Sequence, residues 1–600
     1  MSGKPALILL TPQARPAAQL LMAAFPAWEV YAPDDVALPH TLPVGKAAVT
    51  IARLFADGRP VIGICAAGIL IRAVAPHLRD KHSEPPVIAV ASDGSSVVPL
   101  LGGHHGANLL ARRIAHVLQG QAAITTAGDL AFGLGLDEPP EGYELANPED
   151  AKPFMAALLR GEKLRIEGQA PWLKLSNLPV DQENAALTIA VTHQAEDGGE
   201  TKLVYHPRVL SIGIGCERGT SPVELIRLVQ STMDEHGLAR DAIAGIYSLD
   251  LKADEAAMHE LARWLDVPIR FFDAATLERE TPRLKNPSAT VFAEVGCHGV
   301  SEGAALAAAG EAAELIVPKV KSQRATCAIA LAPAPFDGAL RGVARGELHV
   351  VGTGPGDSAW LTPEVRIALS EATDWVGYGL YLDLYPELAV EKTLHRYDLG
   401  EEEVRVRAAL DLAAQGKRVA LVCSGDPGIY AMATLVFELL EAEPARKDWQ
   451  RVAVQVMPGL SAMQAAAARS GAPLGHDFCT ISLSDLLTPI ETILQRVKSA
   501  AEADFVIAFY NPVSQRRRTQ LAMAKDILLQ HRAAETPVVL ARNLGREGER
   551  ITLTTLGELD VEKVDMLTVV LVGSGASRAI ELQDGRRFVY TPRGYDKKRQ

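Results

Sequence analysis

The chain has 600 residues, with 60 Lys and Arg against 73 Asp and Glu, a formal charge of −13. At 48 % hydrophobic and 22 % charged residues it can bury several cores, which excludes a chain disordered throughout. The acidic balance argues against broad binding to nucleic acid or anionic membranes, and length alone suggests about four domains.

No uncharged stretch reads as a membrane span. Residues 452–468 come nearest, but Gln455, Pro458, Gly459, Ser461 and Gln464 suit a loop entering a helix. The apolar run 5–10 is cut by Thr11 and Pro12, has no signal peptide's cleavage site, and reads as a first strand. The expectation is a soluble cytoplasmic protein. Cysteines at 65, 216, 297, 327, 423 and 479 lie far apart, without CxxC or Cys/His metal spacing, as for buried thiols in a reducing compartment. No metal site is expected, because the adjacent His104 and His105 would point apart on any regular element.

Strands are predicted at 6–10, 61–64, 87–91 and 123–126 and a helix at 108–118, an alternation that implies an α/β layer fold. Segment 138–209 is rich in turn formers and predicts connecting structure or a small β-rich module. From 209 the chain reads strand, glycine turn, then a helix capped near Thr220 or Ser221, with Pro222 and Glu224 in its first turn. An Ala-rich helix within 301–317 and a strand at 325–330 close that block. Pro, Gly and Ala dominate 332–346 without a periodic apolar face, the composition of a linker. A third block restarts with a strand at 348–351 and continues with strands at 419–423, 452–456, 505–509, 538–541 and 567–572. Residues 594–600 form a polar, basic end. The expected divisions are 1–137, 138–208, 209–331, the linker 332–346, 347–580 and a tail 581–600, a multidomain α/β protein.

The third block restarts as VGTGPGDSAWLTPEV. Taken alone, Gly352-x-Gly354 after a strand invites a nicotinamide-dinucleotide reading, but the third glycine of G-x-G-x-x-G would fall at Asp357. The alternative is a tight turn with Asp357 or Ser358 as N-cap. Further loops follow apolar strands: SGDPGIY (424–430), MPGLSAMQ (457–464), FYNPVSQRRR (509–518) and ARNLGREGE (541–549). All stand at carboxyl ends of strands, where open α/β sheets bind ligands.

The ordered set GxGPGD, SGDPxIY, PGxSA, YNPxS and RNxGR resembles the tetrapyrrole methylase family, which methylates porphyrinoids with S-adenosylmethionine (SAM). Its loop spellings resemble the precorrin-3B C17-methyltransferase branch of vitamin B12 synthesis. The resemblance implies a two-domain fold with SAM in the cleft, a corrinoid tetrapyrrole substrate, and a homodimer. Carried over by motif, Pro355, Ser424, Gly425, Asp426 and Ile429 line the SAM pocket, as do Ser461, Ala462, Asn511 and Leu544. The basic run Arg516, Arg517 and Arg518 reads either as a solvated helix start or as a binder of the substrate's acetates and propionates.

In the first block, VVPLLGGHHGANLLARRIA (97–115), AITTAGD (123–129) and AVAPHLRDKHSEPPVIAV (73–90) resemble the amino-terminal part of cobalt-precorrin-5A hydrolase. That family more often has SGHLGGAN where this chain has the shorter GGHHGAN. GIGCERGTS (213–221), the Lys252 loop and GVSEGAALAAAG (299–310) resemble its carboxy-terminal domain, which also occurs alone as the cobalamin-biosynthesis E-type protein. The resemblance implies opening of a macrocycle lactone and loss of acetaldehyde, with His104 as candidate base and the turn amides of 102–106 as oxyanion donors. Glu302, at a helix start, reads more readily as favouring the helix dipole than as catalytic. The whole reads as a hydrolase-like amino half fused to a C17-methyltransferase. The competing reading makes 1–330 a non-catalytic corrinoid-binding and handover module, and a cobalt-free or a cobalt-bearing substrate both stay open.

Overall fold

A computed structural model describes residues 4–39, 41–80, 84–103, 106–390, 392–514 and 518–595. The chain divides into two units, Met1–Asp250 with Glu255–Gly342, and Leu251–Asp254 with Val343–Gln600. The architecture is α/β, built on mixed sheets.

In the first unit, Ala6–Leu9, Val61–Ile64 and Val87–Val90 are apolar throughout and buried at every position, as strands covered on both faces must be. They form the centre of a seven-stranded sheet in the order Leu42–Pro43, Glu29–Ala32, Ala6–Leu9, Val61–Ile64, Val87–Val90, Ser96–Leu101, Gln121–Ala122. All neighbours are parallel except Val87–Val90 with Ser96–Leu101. Helices Arg15–Ala24 and Ala107–Leu118 cover one face through Ala18, Leu21 and Ile114. Ala47–Ala56 and Ala67–Val74 cover the other through Ile51, Leu54 and Leu70. The strand predicted at 123–126 sits earlier, at Gln121–Ala122. Its ladder ends where the Ala123 N–H donates to Val97 O (2.8 Å), and Thr126 Oγ1 instead accepts from Asn108 Nδ2 (3.0 Å).

Segment 138–208 folds about its own sheet, ordered Tyr143–Leu145, Lys202–Pro207, Leu187–Val191, Leu164–Glu167. Helix Ala151–Leu159 packs on it through Phe154 and Leu158, and Trp172 meets Tyr143 and Tyr205 edge-on at 5.9 and 5.4 Å. A third sheet follows, in the order Ile269–Phe272, Ile243–Leu249, Leu210–Cys216, Ala325–Leu331, Glu314–Lys321. Helix Val300–Ala309 crosses it so closely that a Cβ on Gly213 would run into Ser301 O, and Ser211 Oγ donates to Ala305 O (2.7 Å). Ser221 stands at the N-cap of Pro222–Glu235, with Thr220 Oγ1 donating to Glu217 O (2.8 Å).

Residues 332–342, inside the span expected as a linker, are hydrogen-bonded to the first unit. Tyr247 Oη donates to Gly338 O (3.2 Å), Arg270 Nε donates to Ala339 O (2.9 Å), and the Phe336 N–H donates to Arg208 O (3.2 Å). The small residues that resemble linker composition are those that let this segment lie against a sheet.

In the second unit, an all-parallel sheet runs Thr393–Tyr397, Asp374–Tyr378, Arg418–Cys423, Glu347–Gly352, Ala453–Met457. A second sheet runs Phe478–Ser482, Val506–Tyr510, Thr568–Val572, Pro537–Arg542, Arg550–Thr555, parallel only in its first pair. The expected tail from 581 is partly built into this unit. Arg587–Tyr590 pairs with Arg578–Glu581 and Gly471–Ala472, Val589 is buried, and Thr591 Oγ1 donates to Pro473 O (2.6 Å).

Candidate active site

The strand ends of the parallel sheet meet where side chains are absent. A Cβ on Gly352 would lie 2.6 Å from Gly459 N and 2.7 Å from Gly425 O, and one on Gly459 would strike Gly425 O and Gly352 O. Three loops can converge here only as bare backbone. Gly354 and Gly425 exchange hydrogen bonds, Gly425 N–H to Gly354 O at 2.8 Å and Gly354 N–H to Gly425 O at 3.2 Å. Asp426 ties the loops together: Oδ1 accepts from the Gly428 N–H (2.8 Å) and Oδ2 from the Gly459 N–H (3.2 Å). Asp357 caps the turn Ser358–Trp360 by accepting from the Ala359 N–H (2.8 Å), so of the two predicted caps it is Asp357 that serves.

Ser461 starts helix Ala462–Ser470 with a complete capping box. Its Oγ accepts from the Gln464 N–H (3.2 Å), and Gln464 Oε1 accepts from the Ser461 N–H (3.0 Å). Tyr510 Oη accepts from the Met463 N–H at 3.1 Å, and burial pushes its phenol pKa up. Asn511 follows in the left-handed region (φ 49°), with Nδ2 donating to Ser482 Oγ (3.2 Å). Tyr430, also left-handed (φ 52°), donates through Oη to Thr480 O (3.0 Å) and sets its ring 5.5 Å from that of Tyr510.

The loop 543–546 comes from the second sheet and closes on the first. Arg546 Nε donates to Pro355 O (2.7 Å) and Nη2 to Ser424 Oγ (2.9 Å), while its guanidinium lies 5.5 Å from the centre of the Tyr381 ring. Burial raises the pKa of Tyr381, against the opposing pull of the Arg546 and Arg405 charges.

Between these loops lies a cavity of about 350 Å³, within the size range of small-molecule sites. Pro355, Ser424, Gly425, Asp426 and Ile429 line it, and so do Ser461, Ala462, Asn511 and Leu544; the structure brings together every residue carried over by motif. Its wall mixes apolar side chains such as Ile429 and Leu544 with polar ones such as Ser424 and Asp426. Arg546, Tyr381, Tyr510 and Arg405 also line the cavity and were missed in the sequence. Arg546 had a signal, the second arginine of RNLGR. The signal for Arg405 is its place on the buried stripe Val406, Ala409, Leu410, Ala413 of helix Glu402–Ala414.

Arg516 and Arg517 lie outside the described residues. Arg518 does not line the cavity; it is exposed and pairs with Glu562 at 3.4 Å. His104 also lies outside the described residues; of the glycines near it, Gly102 (φ 75°) and Gly106 (φ 82°) are left-handed. Glu302 is only 2 % exposed and accepts from four donors: the N–H groups of Lys285 (2.8 Å), Asn286 (3.0 Å) and Lys319 (2.9 Å), and Asn286 Nδ2 (2.8 Å). Burial would raise its pKa, but these donors outweigh burial and hold it below the ordinary carboxylate range. It is a structural acceptor joining three segments.

Residues 347–560 match the family model of tetrapyrrole (corrin/porphyrin) methylases. Residues 49–129 match that of the cobalamin synthesis G N-terminal region, and 210–330 that of the cobalamin synthesis G C-terminus. A precorrin-3B C(17)-methyltransferase of Sinorhizobium sp is 46 % identical over 250 residues, 42 % of this chain and 97 % of that protein. A probable cobalt-factor III C(17)-methyltransferase of Salmonella typhimurium is 46 % identical over 248 residues, 41 % of this chain and 99 % of that protein. Among solved structures, the methyltransferase CobJ is 43 % identical and covers 41 % of this chain and 100 % of its own, with a TM-score of 0.38. Among the described residues, no helix is long and apolar enough to cross a membrane.

Proposed function

The chain belongs to the tetrapyrrole (corrin/porphyrin) methylase family, and on that premise we propose that its 347–580 part methylates C17 of precorrin-3B, or of its cobalt-bearing counterpart, with contraction of the ring. Two relatives are named a precorrin-3B C(17)-methyltransferase and a probable cobalt-factor III C(17)-methyltransferase, and here the methylase follows a region like cobalamin synthesis G. The observation that carries the reading is the convergence of residues from five separate motif loops on one cavity.

SAM, when bound, supplies a methyl group on a sulfonium, whose sulfur keeps the electron pair of the broken S–CH3 bond and needs no proton from the protein. What remains for this chain is alignment and exclusion of water. Asp426 fixes the loops of 425–428 and 459 before any ligand enters, and the Ser461 cap holds the helix start at the cavity wall. Arg546 clamps the loop of the second sheet onto Pro355 and Ser424, which keeps the two sheets' loops in register across the cavity. Incubation with precorrin-3B and SAM should yield a tetrapyrrole heavier by one CH2, together with S-adenosylhomocysteine. Recovery of unchanged tetrapyrrole beside a working C17-methyltransferase would overturn the reading.

For 1–331 the reading is lactone opening on a later corrinoid of the same route, with His104 as base and the turn amides of 102–106 as oxyanion donors. Cobalt-precorrin-5A should then release acetaldehyde, and His104→Ala should slow release by about 10²–10⁴-fold, the usual size of losing an acid–base group. The limits given above for the two halves, a cytoplasmic location and a homodimer formed through the methylase part belong to the same proposal.

A further inference from the structure

Arg405 stands apart from every other group around the methylase cavity. It sits in the first turn of helix Glu402–Ala414, is 3 % exposed, and lines the cavity beside Tyr381, Leu399 and Glu402, none of which belongs to the motif loops. A guanidinium carries five N–H donors, yet this one makes a single hydrogen bond among the described residues, Nη2 to Asp398 O at 3.0 Å. Its Nε is buried without an acceptor. The neighbouring carboxylate of Glu402 is turned to the Gly400 N–H instead (3.1 Å).

Arg532 in the same unit shows how this fold treats an arginine kept for structure. It too is buried and its Nε too lacks a hydrogen-bond acceptor, but its Nη1 and Nη2 donate to the carbonyls of Gly573, Ala500 and Phe505 and it faces Asp504 at 3.7 Å. Arg405 has one carbonyl and forms no ion pair among the described residues. The nearby cation, Arg546, adds to the local positive charge while its own Nε and Nη2 are taken by Pro355 and Ser424. A buried charge left in this state costs stability, and the cost is recovered when an anion arrives.

We propose that Arg405 is the carboxylate anchor of the cavity, taking a carboxylate of the bound ligand through the N–H groups that the protein leaves unpaired. The inference rests on the methyltransferase reading, in which both ligands carry carboxylates: the amino-acid end of SAM, and the acetate and propionate arms of the tetrapyrrole. A guanidinium fork suits either.

The test uses the full chain with Arg405→Met and Arg405→Lys, calorimetry with SAM and with decarboxylated SAM, and steady-state methylation of precorrin-3B. Arg405→Met should keep or raise the Tm of the ligand-free protein, since it removes an unpaired buried charge. If the tetrapyrrole is held, its KM rises by about 10–100-fold, the size of a lost charged hydrogen bond, with SAM affinity unchanged. If SAM is held, its affinity falls by a similar factor while that of decarboxylated SAM does not move. In either case Arg405→Lys should recover part of the loss. SAM affinity and KM both within about twofold of the unsubstituted protein would overturn the inference, whether or not Tm falls, since a charged contact is worth more than that. Arg405→Lys keeps the question open to an answer should the methionine variant fail to fold. A wild-type chain that neither binds SAM nor methylates would overturn the underlying reading and the inference with it; an active chain with unaffected variants overturns the inference alone.

Discussion

Glu302 and Arg405 are both almost fully buried, one in each unit, and the fold serves them in opposite ways. Glu302 meets four N–H donors from two segments, whereas Arg405 meets one carbonyl and leaves Nε bare. A buried charge whose bonds are all made joins chain segments; one whose bonds are unmade beside a cavity is waiting for a ligand. Burial alone would have ranked the two together. Counting donors and acceptors separates them.

The largest expected effect tests the first half of that contrast. Glu302→Ala strands three backbone N–H groups and an amide, so the first unit should lose about 3 kcal/mol or more. Urea unfolding followed by hydrogen exchange over 285–319 would measure it, and SAM affinity should stay within about twofold because distant sites add independently. A loss below about 1 kcal/mol would mean that the four bonds are not made in solution. The same carboxylate predicts a pH dependence. Its folded pKa is lowered, so its contribution is present above the unfolded value of about 4.3 and drains away as pH falls through the lower folded value. Glu302→Gln should flatten that acid limb.

The next effect concerns the loop junction. In Gly459→Ala the new methyl meets two backbone oxygens, and a loss of about 1–3 kcal/mol with weakened SAM binding is expected in thermal melts and calorimetry. Gly425→Ala is the milder partner: nothing lies within 4 Å of its Cβ, and only the left-handed backbone is strained, roughly 1 kcal/mol. Equal losses in both would mean that conformation, and not close approach, sets the glycine requirement. Ser461→Ala should cost about 1 kcal/mol through the lost cap, with Ser461→Gly losing only a few tenths. Smallest of all, Arg518→Ala removes an exposed ion pair and should shift stability by less than about 1 kcal/mol and leave KM for the tetrapyrrole unmoved.

What the sequence makes legible follows from how each strand is buried. Arg418–Cys423 and Thr568–Val572 lie mid-sheet, and after their first residues they read as continuous apolar runs. Thr393–Tyr397 and Arg550–Thr555 are edge strands with half-exposed, mixed side chains, and only their hydrogen-bonded neighbours make them strands. The cavity divides in the same way. Its loop residues are legible because glycine and proline motifs mark where backbone must turn or approach closely. Arg405 is hidden because an arginine in EEVRVRAALDLAA looks like one more charge on a solvated helix. Only its alignment with Val406, Ala409 and Ala413 shows that it faces inward.

The order of the second unit's last sheet also bears on how the chain comes to be folded during synthesis. Its middle strand is Thr568–Val572, flanked by Val506–Tyr510 on one side and Pro537–Arg542 on the other. The two outer pairs are therefore made first and have nothing to join them until the middle strand leaves the ribosome. Through that interval each half offers an open strand edge, the feature through which nascent chains pair wrongly with one another. Proteins whose sheets close late gain from slow neighbours and chaperones. A chain stopped at 560 should collect as aggregate, while one stopped at 342 stays in solution, because the first unit draws none of its sheets from the segment that is made last.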